Sequence, residues 1–287
     1  MGFTEHFYGT HDGLSLYYRS YGSAEDVVVC LPGLTRNSKD FHEIATHLAS
    51  RYRVLCLDLR GRGRSARDTD WTNYHPATYI GDTWHLLDQL DIARFTLLGT
   101  SLGGLLAMIM AAQRPELVRA VVLNDVGPEA DPAGYARILA SFDLDVGVAD
   151  WNEAALRCQQ TYQVALPDMP AEFWRAYVQR NYREGAHGRP EPDSDPNIAE
   201  AIRKGDQHRI AGVQVDPWDA FGAMTMPCLV LRGELSDILS ADIVKRMTLV
   251  KPDLKSAVIP RRGHAPLLYE PESLAAIDTF LKQLPSE

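Results

Sequence analysis

The stretch Gly99-Thr100-Ser101-Leu102-Gly103-Gly104 is the part of the chain best suited to chemistry. It follows an apolar run, Phe95-Thr96-Leu97-Leu98, and precedes Leu105-Leu106-Ala107-Met108-Ile109-Met110-Ala111-Ala112, which is apolar on nearly every side. That order predicts a strand, a tight turn and a buried helix. A serine on such a turn is held at the end of a sheet with its hydroxyl exposed for attack on an electrophilic carbon. Gly99 and Gly103 let neighbouring backbone approach where a Cβ would clash. The helix that starts after the serine points unpaired N–H groups at the same place. A dinucleotide-binding turn is a poor alternative, because the G-x-G-x-x-G spacing is missing and the motif does not open the chain. No H-E-x-x-H or similar ligand spacing occurs, so no metal and no cofactor are expected.

The elements around this turn alternate. Val27-Val28-Val29-Cys30-Leu31, Arg53-Val54-Leu55-Cys56-Leu57, Ala120-Val121-Val122-Leu123, Cys228-Leu229-Val230-Leu231 and Ala257-Val258-Ile259 read as further strands. Continuous apolar runs of this length suit a parallel sheet covered on both faces. Helical spacing is found over 76–90, with Pro76 as a first-turn residue, and over 274–284. The expected fold class is α/β, with a mostly parallel central sheet, helices on both faces and an inserted helical cap. From about Pro128 to Ala223 the alternation stops. Helices are predicted over 154–162, 171–182 and 197–204, with a Pro/Gly loop over 185–192 and no strand. The expected division is a core of 1–127 and 224–287 with a cap of 128–223. The cap is rich in aromatics: Tyr135, Phe142, Trp151, Tyr162, Phe173, Trp174, Tyr177, Tyr182 and Trp218. Most should pack a core, and some should line a pocket over Ser101.

Composition narrows the setting. Of 287 residues, 45% are apolar and 23% charged, and the net charge is −9. A chain this long buries a sizeable core without metal or disulfide. Basic residues are dispersed, which argues against nucleic acid. The nearest basic cluster, Arg60-Gly61-Arg62-Gly63-Arg64, is broken by glycines and reads as a turn. Three of the four cysteines, Cys30, Cys56 and Cys228, lie in strand-like runs, and Cys158 completes the set. None forms a C-x-x-C pair, so buried thiols and a reducing compartment are expected. No signal-peptide or myristoylation pattern is present at the start, and no run approaches the ~18 apolar residues of a membrane span. A soluble cytoplasmic protein with a small-molecule substrate is expected.

With these motifs in place, the chain resembles the α/β-hydrolase superfamily from about Gly13 onward, least specifically over 128–223. The resemblance implies further site residues, in a fixed order. Leu31-Pro32-Gly33-Leu34 ends a strand similar to the family's third. There the backbone N–H of Leu34, with that of Leu102, would hold an oxyanion, at ~3–4 kcal/mol per aimed donor. Pro32 stands where many members carry His, which leaves the backbone donors unaffected. Asp58-Leu59-Arg60-Gly61-Arg62-Gly63-Arg64-Ser65 is similar to a structural turn of the family. Arg232-Gly233-Glu234-Leu235-Ser236-Asp237 resembles the acid turn and implies Asp237 as the triad acid. A rarer arrangement in the family takes the acid from the end of the preceding strand, here Asp125. Arg262-Gly263-His264-Ala265-Pro266 implies His264 as the base that takes the Ser101 proton and returns it to the leaving group. Singly, these would be a capping serine, a loop carboxylate and a surface histidine. Together, in order and each at a strand end, they imply a Ser101–His264–Asp237 triad. His42, His47 and His85 fall on helices and are expected to be packed or solvated.

The resulting expectation is a serine hydrolase of small carboxylic esters or lactones, with an apolar or aromatic acyl group. Ser101 differs from the nucleophilic Asp of epoxide hydrolases and haloalkane dehalogenases. Carbon–carbon hydrolases of aromatic ring-cleavage products are the second reading. They commonly carry an aromatic residue after the base histidine, and Ala265 departs from that. A non-catalytic ligand receptor on the same fold is the third, separable by multiple turnover.

Overall fold

The structure, a computed structural model, describes residues 2–141, 147–204 and 216–285. Its centre is an eight-stranded sheet built from β1 (Thr4–Gly9), β2 (Ser15–Tyr21), β3 (Val27–Leu31), β4 (Arg53–Leu57), β5 (Phe95–Thr100), β6 (Val118–Asn124), and two late strands. A two-stranded ribbon, β7 (Tyr182–Glu184) and β8 (Pro190–Pro192), intervenes in the chain before those strands, β9 (Cys228–Gly233) and β10 (Lys255–Ile259). The sheet order is β1-β2-β4-β3-β5-β6-β9-β10. β2 pairs antiparallel with both β1 and β4, and the remaining neighbours are parallel.

Helices α1 (His42–Leu48), α2 (Pro76–Gln89) and α3 (Leu102–Gln113) belong to the first half. Then come α4 (Pro132–Ser141), α5 (Trp151–Tyr162), α6 (Ala171–Asn181), α7 (Asn197–Lys204) and α8 (Pro217–Gly222). α9 (Ala241–Val250) and α10 (Pro271–Lys282) follow. Alternate strand residues face opposite cores, as the pleat requires. Val27, Val29, Leu31, Leu55, Leu97 and Val121 join side chains of α2, α3, α8 and α9. Val28, Cys30, Val54, Cys56, Leu98 and Val122 join those of α1 and α10. Burial on both faces is why β3 to β6 read as unbroken apolar runs. All four cysteines are free and buried.

Three differences from the sequence reading stand out. The N-terminal hairpin β1–β2 was not expected. β1 is an exposed edge strand whose polar side chains mask the alternation, while the tyrosines of β2 are buried. The β7–β8 ribbon lies inside 128–223, where no strand was expected. Its three-residue strands are too short to show a period, and it is tied to the 185–189 turn by the Gly185 N–H to Arg189 carbonyl bond of 2.7 Å. Helix bounds also shift by a few residues, as at Trp151–Tyr162 and Pro271–Lys282.

Segment 128–223 carries a third hydrophobic cluster, which includes Ala154, Cys158, Leu166, Trp174, Tyr177, Val178 and Tyr182. Polar contacts fix this segment to the sheet. Gly63 N–H donates to the Asp193 carbonyl at 2.8 Å, and Asp195 N–H donates to the Gly61 carbonyl at 2.7 Å. Asn37 Nδ2 donates to the Arg180 carbonyl and to Asp193, each at 3.1 Å. The arginine-rich turn is internal rather than a basic patch. Arg60 is fully buried among Asp12, Asp68 and Asp82, and Arg62 is buried against the Leu34 and Arg60 carbonyls. No helix among the described residues is long and apolar enough to cross a membrane.

Candidate active site

Ser101 stands between β5 and α3 with φ 52° and ψ −118°, a left-handed conformation that a non-glycine residue rarely holds. The two glycines are what permit it. A Cβ on Gly99 would lie 2.3 Å from the Gly103 carbonyl oxygen, and one on Gly103 would lie 1.9 Å from that of Leu31. Both approaches are shorter than any real carbon–oxygen contact, so α3 can start this close to the sheet only with glycine at each position. The strain is held by the Ser101 N–H bond to the Asn124 carbonyl, 3.2 Å, which ties the turn to the end of β6.

His264 lies on the loop after β10, and several bonds hold that loop over the strand ends. Asn124 Nδ2 donates to the Pro266 carbonyl at 2.9 Å. Gly263 N–H donates to the Ala165 carbonyl and Leu235 N–H to the Arg262 carbonyl, each at 2.7 Å. Arg262 itself is held by Glu270 at 3.0 Å and Asp168 at 2.6 Å. The His264 ring is thereby placed with Nε2 2.9 Å from Ser101 Oγ and Nδ1 2.9 Å from Asp125 Oδ2. A carboxylate only accepts hydrogen bonds, so Nδ1 carries the proton and Nε2 is left to accept from the serine hydroxyl.

The acid beside the histidine is therefore Asp125, not Asp237. Asp125 follows β6 directly, is fully buried, and has φ 56°. Its carboxylate also accepts from the Gly233 N–H at 2.7 Å and from Ser236 Oγ at 2.6 Å. Asp237 is drawn the other way, to α4, where Arg137 Nε and Nη2 reach its two oxygens at 2.5 and 2.9 Å. This fork holds the Asp237 carboxyl below the usual carboxylate range. In the sheet β6 lies between β5 and β9, so the two carboxylates emerge from neighbouring strand ends. Position in the sequence does not separate them. The arginine on α4 and the serine at 236 do, by taking one carboxylate out of reach and fixing the other.

The remaining expected residues lie close by. Leu34 lines the same cavity as Ser101 and His264. Leu102 opens α3, so its N–H has no carbonyl one turn earlier. Among the described residues neither N–H donates to another group. A Cβ on Gly33 would lie 3.8 Å from that of Ser101, which places the Leu31–Leu34 turn beside the nucleophile. The other histidines stand apart: His42 meets Tyr21 Oη, His47 meets Asp278, and His85 meets Gln89.

The cavity over Ser101 has a volume of about 140 Å³. Of the aromatics of 128–223, Tyr162, Tyr177 and Tyr182 line it. Trp151, Phe173 and Trp174 pack the third cluster instead, and Phe142 lies outside the described residues. The wall is not apolar throughout, since arginines from the 33–36 turn, α4, α5 and α6 also line it. Among the described residues no group of three or more His, Cys, Asp or Glu side chains is placed to hold a metal ion.

Residues 26–271 match the family described as alpha/beta hydrolase fold. The chain is 33% identical, over 92% of its length and 91% of the relative's, to a protein of Cupriavidus necator named 3-hydroxybutyrate-oligomer hydrolase. It is 29% identical, over 93% and 92%, to a 2-(acetamidomethylene)succinate hydrolase of Mesorhizobium japonicum. Among solved structures it is similar to an alpha/beta hydrolase from Novosphingobium aromaticivorans, with a TM-score of 0.89, 43% identity and 98% of both chains covered.

Proposed function

Because the chain belongs to the alpha/beta hydrolase fold family and its full-length relatives are hydrolases, we propose that it is a serine hydrolase of small carboxylic esters or lactones. The observation that carries this reading is the position of His264, within hydrogen-bond distance of Ser101 Oγ on one side and Asp125 on the other. Ser101 Oγ attacks the carbonyl carbon while its proton passes to His264 Nε2. The tetrahedral oxyanion is held by the N–H groups of Leu34 and Leu102. The carbon–oxygen bond then breaks, His264 returns the proton to the departing alcohol, and an acyl-serine remains. Water attacks that ester with His264 as base, releasing the acid and restoring Ser101. Asp125 keeps the imidazole in the required tautomer and stabilises its charged form. Helices from 128–223 serve as a cap that shapes the cavity and excludes water. The name of the Cupriavidus relative, which describes a hydroxyacid oligomer as substrate, favours ester cleavage over the carbon–carbon alternative.

A fluorophosphonate probe with the adduct mapped by mass spectrometry tests the reading. Labelling is expected at Ser101, absent in Ser101→Ala and strongly slowed in His264→Ala. A folded wild-type protein that takes no label, or takes it elsewhere, refutes it.

A further inference from the structure

The charge of the cavity wall is opposite to that of the protein. The chain carries a net charge of −9, yet the lining holds four arginines, Arg36, Arg137, Arg157 and Arg180, and a single carboxylate, Asp40. The acids that pair with three of them, Asp237, Glu153 and Glu43, lie outside the lining. All four guanidinium groups are ion-paired, three of them with acids outside the lining, so the wall itself presents more cationic than anionic groups. In a partly closed cavity such an arrangement favours an anion, because the low-dielectric walls focus the field.

One of these arginines is built differently from the rest. Arg36 follows the Leu31–Leu34 turn, and its stem passes the same glycine that faces the nucleophile. A Cβ on Gly33 would lie 3.2 Å from Arg36 Cγ and 3.8 Å from Ser101 Cβ. Asp40, one helical turn later, takes Nε and Nη2 at 2.6 Å each. The rings of Tyr177 and Tyr162, both lining the cavity, lie 5.0 and 5.7 Å from the guanidinium carbon. The group is thus clamped in one orientation at its Asp40 edge and stacked by aromatics. Its third nitrogen, Nη1, is buried and has no hydrogen-bond partner among the described residues. A buried guanidinium nitrogen left unsatisfied is costly. A carboxylate oxygen is the acceptor best matched to it, in charge and in geometry.

We infer that the substrate carries a free carboxylate near the scissile bond and that Arg36, on the cavity wall, is the residue that receives it. This rests on the serine-hydrolase reading and narrows its substrate class to acyl compounds of short acids bearing a second, ionised carboxyl group. Asp40, Tyr162 and Tyr177 act as positioning residues for the guanidinium. The Arg36 stem and Ser101 flank the same glycine, Gly33, which suits a short chain between the two ends of the substrate.

The test compares the 4-nitrophenyl monoester of glutaric acid with the same compound capped as its methyl ester. The two differ in one charge and share a leaving group. Wild type is expected to favour the anionic ester in kcat/KM by ten- to a hundredfold, the order of one charge-assisted contact. Free glutarate should inhibit cleavage of the capped ester, and methyl-capped glutarate should do so far less. In Arg36→Met the preference should collapse towards unity, mainly through KM, and Arg36→Lys should restore part of it. If Arg36→Met does not fold because Asp40 is stranded, the double variant R36M/D40N removes both charges and is read the same way. Equal rates for the two esters in wild type overturn the inference, as does a preference that survives the loss of Arg36. Fluorophosphonate labelling of the same samples separates the two failures. A protein labelled at Ser101 without the preference sinks only this inference, and one that takes no label sinks the hydrolase reading beneath it.

Discussion

Replacing Asp125 by Asn and, separately, Asp237 by Asn measures which carboxylate serves the histidine. Asp125 is fully buried and accepts three hydrogen bonds, from His264 Nδ1, the Gly233 N–H and Ser236 Oγ. Asn presents one acceptor oxygen and an NH2 group that cannot accept from Nδ1–H. When the NH2 faces the ring, Nδ1 becomes the acceptor, the proton moves to Nε2, and Nε2 can no longer take the serine proton. Loss of the triad carboxylate in this way costs kcat about 10⁴-fold, or ~5.4 kcal/mol. Asp237 makes a different case. Among the described residues its ion-pair partner is Arg137, and its side chain is 38% exposed, so the pair is worth about 0–1 kcal/mol after solvent screening. Asp237→Asn should change kcat less than about fivefold, with any larger change confined to KM because Arg137 lines the cavity. The assay is kcat and KM on a 4-nitrophenyl ester, with circular dichroism confirming that both variants are folded and the rate of fluorophosphonate labelling as a second readout. If Asp237→Asn loses a thousandfold or more in kcat while Asp125→Asn keeps its activity, the assignment of Asp125 is wrong.

Three further outcomes follow from the geometry. Ser236→Ala removes a donor 2.6 Å from Asp125 and the acceptor of the Leu239 N–H, and should lower kcat about tenfold with little effect on KM, as steady-state kinetics will show. Gly103→Ala forces a Cβ to within 1.9 Å of the Leu31 carbonyl oxygen, so the turn and α3 must separate. A destabilisation of about 1–3 kcal/mol and a large loss of labelling at Ser101 are expected, and an unchanged Tm with full labelling would contradict this account of the glycine. Arg60→Met strands the buried Asp68 and Asp82 and should cost about 3–5 kcal/mol at neutral pH by urea unfolding. The pH dependence of that loss has a definite sign. The hydrogen bond from Arg60 lowers the Asp12 carboxyl to about 2, so its contribution is complete above the ordinary value near ~3.9 and is lost as pH falls towards 2. The deficit of Arg60→Met should therefore shrink on acidification through that window, and a deficit that grows there would reject the argument.

The sequence alone determined the central features. Unbroken apolar runs specify strands covered on both faces, and β3 to β6 are such strands. Gly99 and Gly103 around Ser101 specify the strained turn, because only glycine allows the backbone approach measured there. The edge strand β1 and the β7–β8 ribbon were less legible, since an exposed or three-residue strand carries too little hydrophobic alternation to stand out. Tertiary structure alone decided which acid meets His264. Asp125 and Asp237 both end up beside strand ends, and a linear order cannot say which one a distant arginine will remove. Arg137, a hundred residues before Asp237, does so from α4. The same holds for the cavity wall. Arg36, Arg137, Arg157 and Arg180 are scattered along the chain as ordinary surface-type residues, and only folding gathers their charge around one serine.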